Sequence, residues 1–230
     1  MSLFRVALVI VQATYNELAC TPPNATAKGR YHTDQLYIFQ IGPLILRAHQ
    51  LILRFCVVFE ILYYLASRPQ SSALTSYKSL LWLTPANPVR PTQLFVVGVV
   101  AVVLGASLRL ACFHALGTLF TFDLTVQPHH RLITEGPYVY VRHPAYTGSL
   151  AIIAGLAFSH LSPGSWLWEC TPLHCAPACG VLLGAVWWLW TLGIGLSRVK
   201  AEDEQMRALF PKEWDAYAKA TPWWFIPGVV

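Results

Sequence analysis

Charged side chains are scarce in this chain. Lysine, arginine, aspartate and glutamate together make up 12% of its 230 residues, about half of their share in an average soluble domain. Hydrophobic residues account for 55%. A chain with this balance has too few polar groups to cover a soluble surface, so we predict that most of its mass lies in lipid. The predicted fold class is all-α: one multi-pass integral membrane bundle of about four or five transmembrane helices, with cytoplasmic C-terminal helices.

The motifs of the common soluble enzymes are also missing. The sequence contains no nucleophile elbow, no P-loop, no glycine-rich dinucleotide motif and no HExxH zinc motif. No basic run is interleaved with aromatic residues, and the net charge of +5 is better explained by cytoplasmic loops beside anionic lipid. We therefore predict no nucleic-acid partner and expect the lipid bilayer to be a main contact of the chain.

The six cysteines do not form a standard metal motif. Cys170, Cys175 and Cys179 surround His174, but their spacing differs from that of the common zinc sites, and no second pair of ligands follows. We predict no metal. Free thiols are the simplest interpretation of this cluster, and a lumenal disulfide is the alternative.

Apolar runs divide the chain into an N-terminal part, residues 1–92, and a core, residues 93–230. In the first part, residues 36–66 are long enough to span a bilayer, whereas residues 2–13 fall short of the roughly 20 residues that a span needs. Residues 14–35 and 67–92 are predicted as loops. The core is predicted to contain transmembrane helices at 93–113, 145–161 and 176–197, a loop at 114–144, and two C-terminal helices within 198–230.

The placement of lysine and arginine predicts the orientation of the core. Residues 161–197 contain neither residue type, whereas 114–144 and 198–230 together contain seven. Because positive side chains concentrate on the cytoplasmic side of a membrane, these two segments are predicted to share the cytoplasmic face.

The stretch Gly136–Gly148 reads GPYVYVRHPAYTG and leads into an apolar run. Gly136-Pro137 predicts a turn, and Pro144 biases His143 away from helical geometry, so the chain should bend before a helix begins. Polar backbone at the mouth of a membrane helix is costly unless it lines a cavity or a site. We therefore expect a functional site in this stretch.

The predicted orientation brings this stretch to the same membrane face as a second polar group, Arg198 with the acidic run Glu202–Glu204. Each residue alone has a structural explanation, since a juxtamembrane arginine usually contacts lipid phosphate and acidic residues stabilise a helix start. Together, arginine, carboxylates and aromatic rings suit a zwitterionic or sulfonium cofactor and an acidic substrate. The sequence therefore predicts a combined site at this face.

The same residues carry a family resemblance. GPYVYVRHPAYTG, followed after two membrane segments by RVKAEDEQMRALFPKEWDAY, resembles the isoprenylcysteine carboxyl methyltransferase family of integral-membrane enzymes. LGTLFTFDL at 116–124 and WFIPGV at 224–229 look like the flanks of this family. The resemblance runs from about residue 109 to the C-terminus. Asp203 departs from it, because the family often has a second glutamate there, and its shorter side chain leaves its role open.

The resemblance implies methylation of the C-terminal carboxylate of isoprenylated cysteine in CaaX-processed proteins, such as small GTPases and mating-pheromone-like peptides. The donor would be S-adenosyl-L-methionine, released as S-adenosyl-L-homocysteine, and the enzyme would lie in the endoplasmic reticulum membrane with its active site facing the cytosol. Arg198 would be the catalytic and substrate-binding residue. The cofactor would be held by His130, Arg131, Leu132, Ile133, Tyr138, His143, Pro144, Ala145, Tyr146 and Glu202.

The chemistry suits this expectation, because a carboxylate is already ionised at neutral pH and needs no general base. Two other functions stay open at this point. A related enzyme acting on a phospholipid amine such as phosphatidylethanolamine would need a base, for which His143 is the candidate. A non-catalytic membrane scaffold would keep the fold without the reaction.

Overall fold

The computed structural model describes residues 1–24, 42–68, 84–127 and 129–229. Its helices in chain order are α1 (Leu3–Cys20), α2 (Gly42–Ala66), α3 (Gln93–Leu116), α4 (Pro144–His160), α5 (Trp166–Glu169), α6 (Pro177–Leu209) and α7 (Pro211–Ala220), with 3-10 turns at Gly117–Leu119, Gly136–Val139 and Pro172–Cys175. Among the described residues, four segments are long and apolar enough to cross a membrane, namely Leu3–Cys20, Ala48–Ala66, Gln93–Leu119 and Pro177–Leu209. The predicted all-helical, multi-pass membrane bundle is confirmed.

Helix α1 is longer than the sequence predicted. The prediction of a loop from residue 14 onward is wrong for residues 14–20, which continue the helix to Cys20. Of the polar side chains in this stretch, Asn16 is buried with its Oδ1 3.2 Å from His49 Nε2, Glu17 pairs with Arg54 of α2, and Thr14 is exposed. Gln12, one turn earlier, is also buried, and its amide donates to Ser159 Oγ at 2.8 Å. Residues 25–41 and 69–83, which hold most of the two predicted loops and the start of the 36–66 run, lie outside the described residues.

Helix α6 is one continuous helix, which corrects a second prediction. A separate charged helix was expected to start at Arg198, but α6 runs unbroken for 33 residues to Leu209. No proline or other helix breaker stands between Ser197 and Leu209, so the switch from apolar to charged composition does not interrupt its backbone. At 1.5 Å per residue this helix is about 50 Å long, which exceeds the roughly 30 Å of bilayer hydrocarbon. At least one end of α6 must therefore extend beyond the hydrocarbon.

Helix α4 begins where the proline predicted a bend. His143 is the N-cap residue, with the non-helical dihedral angles φ −128° and ψ 57°, and Pro144 is the first helical residue. Proline is favoured there, because the amide hydrogen that it lacks would have no partner inside the helix. The predicted helix of 145–161 is thus observed one residue earlier, and α3 extends three residues beyond its predicted end at 113.

Helices α3 and α4 pack with their backbones in direct contact. A Cβ atom added to Gly148 would lie 2.5 Å from the carbonyl oxygen of Gly105, and one added to Gly155 would lie 2.4 Å from that of Gly98. Small residues at such positions let membrane helices approach closely, where van der Waals packing and interhelical contacts replace the hydrophobic effect. This contact fixes the first turn of α4 against the last turns of α3, where the polar residues of the predicted site begin.

The opposite end of the bundle is fastened by a buried ion pair. Arg5 Nε and Nη2 donate to Glu60 Oε2 and Oε1 at 2.9 and 2.7 Å, and Arg5 Nη1 donates to the carbonyl of Arg90 at 3.0 Å. The side chains of Arg5 and Glu60 are 0% and 1% exposed. The Trp166 amide donates to the same carboxylate at 3.3 Å. This pair joins α1, α2, the start of α5 and the segment before α3.

Breaking this pair on one side should strongly destabilise the protein. Arg5→Met leaves the Glu60 carboxylate buried without its cation, which typically costs about 3–5 kcal/mol. The double variant Arg5→Met/Glu60→Gln removes both charges and should recover most of the loss, because the substituted side chain keeps a carbonyl oxygen that can accept from the Trp166 amide. Thermal unfolding in detergent measures both variants, and an equal loss in the two would contradict this account.

Candidate active site

The C-terminal tail holds the stretch Gly136–Gly148 in place. Gly136 has a φ of 62°, the left-handed conformation that glycine adopts readily, and it opens the 3-10 turn Gly136–Val139, so the predicted turn is confirmed. The amides of Arg142 and His143 donate to the carbonyls of Trp223 and Trp224 at 2.9 and 3.0 Å. These backbone bonds fix the direction in which the next side chains leave the chain.

Helix α7 fastens the earlier part of the same stretch. It buries Trp214 and Tyr217, and the Tyr217 hydroxyl donates to the carbonyl of Tyr138 at 2.8 Å. Just after α7, the Thr221 hydroxyl donates to the carbonyl of Val139 at 3.3 Å. The C-terminal residues therefore form one wall of the site.

His143 lies between two carboxylates of α6. Its Nε2 is 2.7 Å from Asp203 Oδ1, and its Nδ1 is 3.3 Å from Glu202 Oε2. The His143 side chain is 6% exposed. Burial disfavours the charged ring, but the hydrogen bonds and charges of Asp203 and Glu202 outweigh it and raise the pKa of His143 above its ordinary value. The imidazolium form is thus stabilised between two anions.

Tyr146 connects an arginine and a carboxylate of α6. Its hydroxyl donates to Glu202 Oε1 and accepts a hydrogen bond from Arg198 Nε at 2.9 Å. Arg198 Nη2 also donates to the carbonyl of Phe122 at 2.5 Å. Arg198 and Glu202, which the helical spacing placed on one face, are therefore bridged by the Tyr146 hydroxyl. Together with His143 they form a hydrogen-bonded network between the start of α4 and the last turns of α6.

Asp203 has a defined place in this network despite its short side chain. Its Oδ2 accepts from the indole nitrogen of Trp224 at 3.1 Å and lies 3.4 Å from Arg142 Nη2. The Arg142 guanidinium carbon lies 5.9 and 6.0 Å from the ring centroids of Trp214 and Trp224. Arg142 and Asp203 thus hold the stretch, α6 and the C-terminal tail together.

The segment His130–Ile133 begins beside the C-terminal end of α6. The His130 ring is half-buried 6.4 Å from the ring of Phe210, and its Nδ1 is buried with no hydrogen-bond partner among the described residues. Burial lowers the pKa of His130. Ile133 is 8% exposed, Leu132 is half-buried and Arg131 is exposed. Arg131 lines an open cavity of about 500 Å³ together with His129, Gln127, the end of α3 and the 3-10 turn Gly117–Leu119.

The remaining predicted residues occupy the first turn of α4 and its approach. Pro144 is buried and Ala145 is half-buried. Burial, together with the neighbouring Cys112, raises the pKa of the Tyr138 hydroxyl. Glu204 is exposed, in contrast to Glu202 and Asp203, which face the network. The three cysteines of the 170–179 cluster have free thiols, and the described residues contain no group of three metal-ligating side chains.

Backbone carbonyls are the groups of this site that the sequence did not reveal. The carbonyls of Phe122, Trp223 and Trp224 orient Arg198, Arg142 and His143, and a carbonyl is present at every residue. The available signal was the likeness of 116–124 and 224–229 to family flanks, since Phe122 and Trp224 lie in these two segments.

A known protein family matches the part of the chain that holds most of this network. A family model described as "Isoprenylcysteine carboxyl methyltransferase (ICMT) family" matches residues 96–208, which run from the start of α3 to the end of α6 and include Arg198 and Glu202. The resemblance to this family is confirmed over that range. No solved structure matches the chain.

Curated relatives carry the corresponding names. Protein-S-isoprenylcysteine O-methyltransferase B of Arabidopsis thaliana is 25% identical over 127 residues, which are 54% of this chain and 55% of the relative. Protein-S-isoprenylcysteine O-methyltransferase of Homo sapiens is 29% identical over 135 residues, 57% of this chain and 40% of the relative. A probable protein-S-isoprenylcysteine O-methyltransferase of Oryza sativa subsp. indica is 27% identical over 125 residues, 54% of this chain and 56% of the relative. The chain thus spans about half of the length of the curated relatives it matches.

The raised pKa of His143 should make stability fall as the pH rises. In the unfolded chain histidine titrates near pH 6.5, whereas the folded protein holds the proton more tightly. This contribution is complete below about pH 6.5 and is lost as the pH rises through the folded-state pKa. Thermal unfolding in detergent from about pH 6 to pH 10 measures it. His143→Gln should flatten the profile, and an unchanged slope in that variant would show that other groups cause it.

Proposed function

We propose that this chain is a methyltransferase that transfers the methyl group of S-adenosyl-L-methionine to the C-terminal carboxylate of an isoprenylated cysteine. Its substrates would be CaaX-processed proteins such as small GTPases and pheromone-like peptides, at the endoplasmic reticulum membrane with the site facing the cytosol. The observation that carries the proposal is the junction of Arg198 and Glu202 with Tyr146 and His143, inside the region that the family model matches.

Arg198 would hold the substrate carboxylate. Its described hydrogen bonds use Nε and Nη2, and Nη1 has the capacity to donate to one oxygen of an incoming carboxylate. The other oxygen would then stay free as the nucleophile. Tyr146 and the Phe122 carbonyl fix the plane of the guanidinium, so the carboxylate is oriented as well as attracted. No proton has to be removed from it at neutral pH.

The residues present fit a cofactor that carries an ammonium and a sulfonium group. Glu202 supplies a carboxylate whose side chain is 24% exposed, Tyr138 and Tyr146 supply aromatic rings, and His130 Nδ1 is a buried polar atom available to a ligand. When bound, S-adenosyl-L-methionine supplies an electrophilic methyl group. We propose that His130–Ile133, Tyr138, His143–Tyr146 and Glu202 hold it and exclude water, since alignment in a dry site lowers the barrier of such a transfer.

The membrane helices suit a lipid-modified substrate. A prenyl chain gains about 0.8 kcal/mol for each CH₂ group that it buries in an apolar environment, so the substrate is concentrated in the bilayer. Several apolar side chains of α6 are exposed on the bundle surface, including Val181, Leu182 and Val186. We expect the prenyl chain to enter sideways from the bilayer, and the polar cofactor to enter from the aqueous side.

The geometry of His143 argues against the phospholipid-amine alternative. A base for a lipid ammonium group must be neutral and accessible. His143 is buried, both of its ring nitrogens face carboxylates, and its pKa is raised. Both ring nitrogens are therefore already engaged by α6 carboxylates and are not exposed to a lipid ammonium group.

The substrate assay tests the proposed function directly. Membranes containing the protein are incubated with methyl-labelled S-adenosyl-L-methionine and either N-acetyl-farnesylcysteine or phosphatidylethanolamine. We expect base-labile methyl ester on the cysteine compound. Label only in lipid would replace our proposal with the amine reaction. The absence of both products, with no binding of S-adenosyl-L-homocysteine in a thermal-shift measurement, would favour a scaffold.

Two substitutions in α6 should abolish turnover through different steps. Arg198→Ala removes the carboxylate ligand, and Glu202→Ala removes the carboxylate of the cofactor site; each should lower kcat/KM by about 100-fold or more. Glu202→Ala should in addition weaken binding of S-adenosyl-L-homocysteine, whereas Arg198→Ala should leave it largely intact. The matched control is Lys200→Ala, an exposed cation on the same helix. Near-normal turnover of Glu202→Ala would rule out the proposed cofactor site.

A further inference from the structure

Arg109 is a buried cation in the last turns of α3 that the proposed chemistry does not use. It is 9% exposed. Its hydrogen bonds go to neutral acceptors: Nε donates to the carbonyl of Ala19 at 2.9 Å, and Nη1 donates to the carbonyl of Ala145 at 3.1 Å and to Ser149 Oγ at 2.6 Å. A cation inside a membrane bundle is costly and usually has a specific role. The places that its acceptors occupy indicate that role.

The acceptors of Arg109 lie at two helix ends. Ala19 is in the last turn of α1, where the carbonyls have no partner within the helix. Ala145 and Ser149 belong to the first turns of α4, on either side of Tyr146. Gly148 is packed so closely here that an added Cβ would lie 2.8 Å from Arg109 Cγ. Arg109 therefore holds the turn from which the Tyr146 side chain extends.

Arg109 also contacts the second support of Arg198. Its guanidinium carbon lies 5.3 Å from the centroid of the Phe122 ring and 5.6 Å from that of Phe113. The carbonyl of the same Phe122 accepts the hydrogen bond from Arg198 Nη2, while Tyr146 accepts the one from Arg198 Nε. The buried guanidinium of Arg109 therefore supports both residues that orient Arg198, namely Tyr146 and Phe122.

We propose that Arg109 is a positioning residue, which sets the orientation of Arg198 through Tyr146 and Phe122 and ties both to the end of α1. This inference rests on the proposed function, in which Arg198 grips the substrate carboxylate. A planar guanidinium reaches all three acceptors and stacks on the aromatic rings, whereas a lysine ammonium offers one point charge. Arginine therefore suits this position better than lysine, which can replace it only in part.

The test compares Arg109→Met with a variant that loses a buried arginine far from the site. Arg5→Met/Glu60→Gln serves as this control, because it removes a buried pair at the opposite end of the bundle. Misplacement of a binding group by about 1 Å can lower turnover by about 100-fold. We expect Arg109→Met to lower kcat/KM for N-acetyl-farnesylcysteine by about 10- to 100-fold in folded protein, Arg109→Lys to restore part of it, and the control to stay near wild type. The loss of kcat/KM in each variant is compared with its fall in Tm. If both variants lose the same amount of kcat/KM for the same fall in Tm, the loss reflects general destabilisation and the proposal is overturned.

Hydrogen–deuterium exchange provides a readout that does not need the reaction. Arg109→Met should raise exchange in two separate segments, 118–125 and 144–150, while the control leaves both unchanged. If Arg109→Met does not fold, Ser149→Ala removes one acceptor without burying an unpaired charge, and it should raise exchange in 144–150. Unchanged exchange in these segments would overturn the positioning role. An inactive wild-type protein with the expected exchange would instead refute the proposed function and leave the role of Arg109 intact.

Discussion

One hydroxyl group joins the two halves of the candidate site. Tyr146 lies in the first turn of α4, and its hydroxyl donates to Glu202 and accepts from Arg198, both in the last turns of α6. A hydroxyl can do both at once, so it bridges the cation and the anion. In the proposed function the carboxylate and the guanidinium would then serve two different ligands. The rest of the bundle supports this arrangement by fixing where α4 starts and where α6 passes it.

The sequence was most informative where covalent chemistry restricts the backbone. Pro144 has no amide hydrogen and a fixed φ, so the start of α4 was predicted to within one residue. It was least informative where the ends of helices were inferred from polar or charged composition alone. Polar residues in α1 and charged residues in α6 suggested breaks, but a helix continues through both as long as each polar side chain has a partner or reaches water. Asn16 finds His49 in another helix, and no sequence pattern in either segment specifies that pairing.

In the candidate site, too, some features could be predicted from the sequence and others could not. Arg198, Glu202, His143 and Tyr146 were predicted from residue types, spacing and the family resemblance, and the structure brings these four together. Their orientation depends on carbonyl oxygens of Phe122, Trp223 and Trp224, which have no signature in sequence. The short side chain of Asp203 was a departure from the family pattern, and its contact with the Trp224 indole depends on where the C-terminal tail lies, a tertiary property.

The first helix shows how a bundle in lipid fixes a helix that no hydrophobic effect holds in place. Because lipid tails are as apolar as leucine, α1 gains little from hiding apolar surface, and its polar contacts determine its depth and rotation. Three of those contacts lie at different levels along the helix: Arg5 binds Glu60 of α2, Gln12 binds Ser159 of α4, and the Ala19 carbonyl accepts from Arg109 of α3. Sliding or turning α1 would break all three and leave buried polar groups unpaired. Although α1 precedes the region matched by the family model, it is thereby joined to the helices that carry the site.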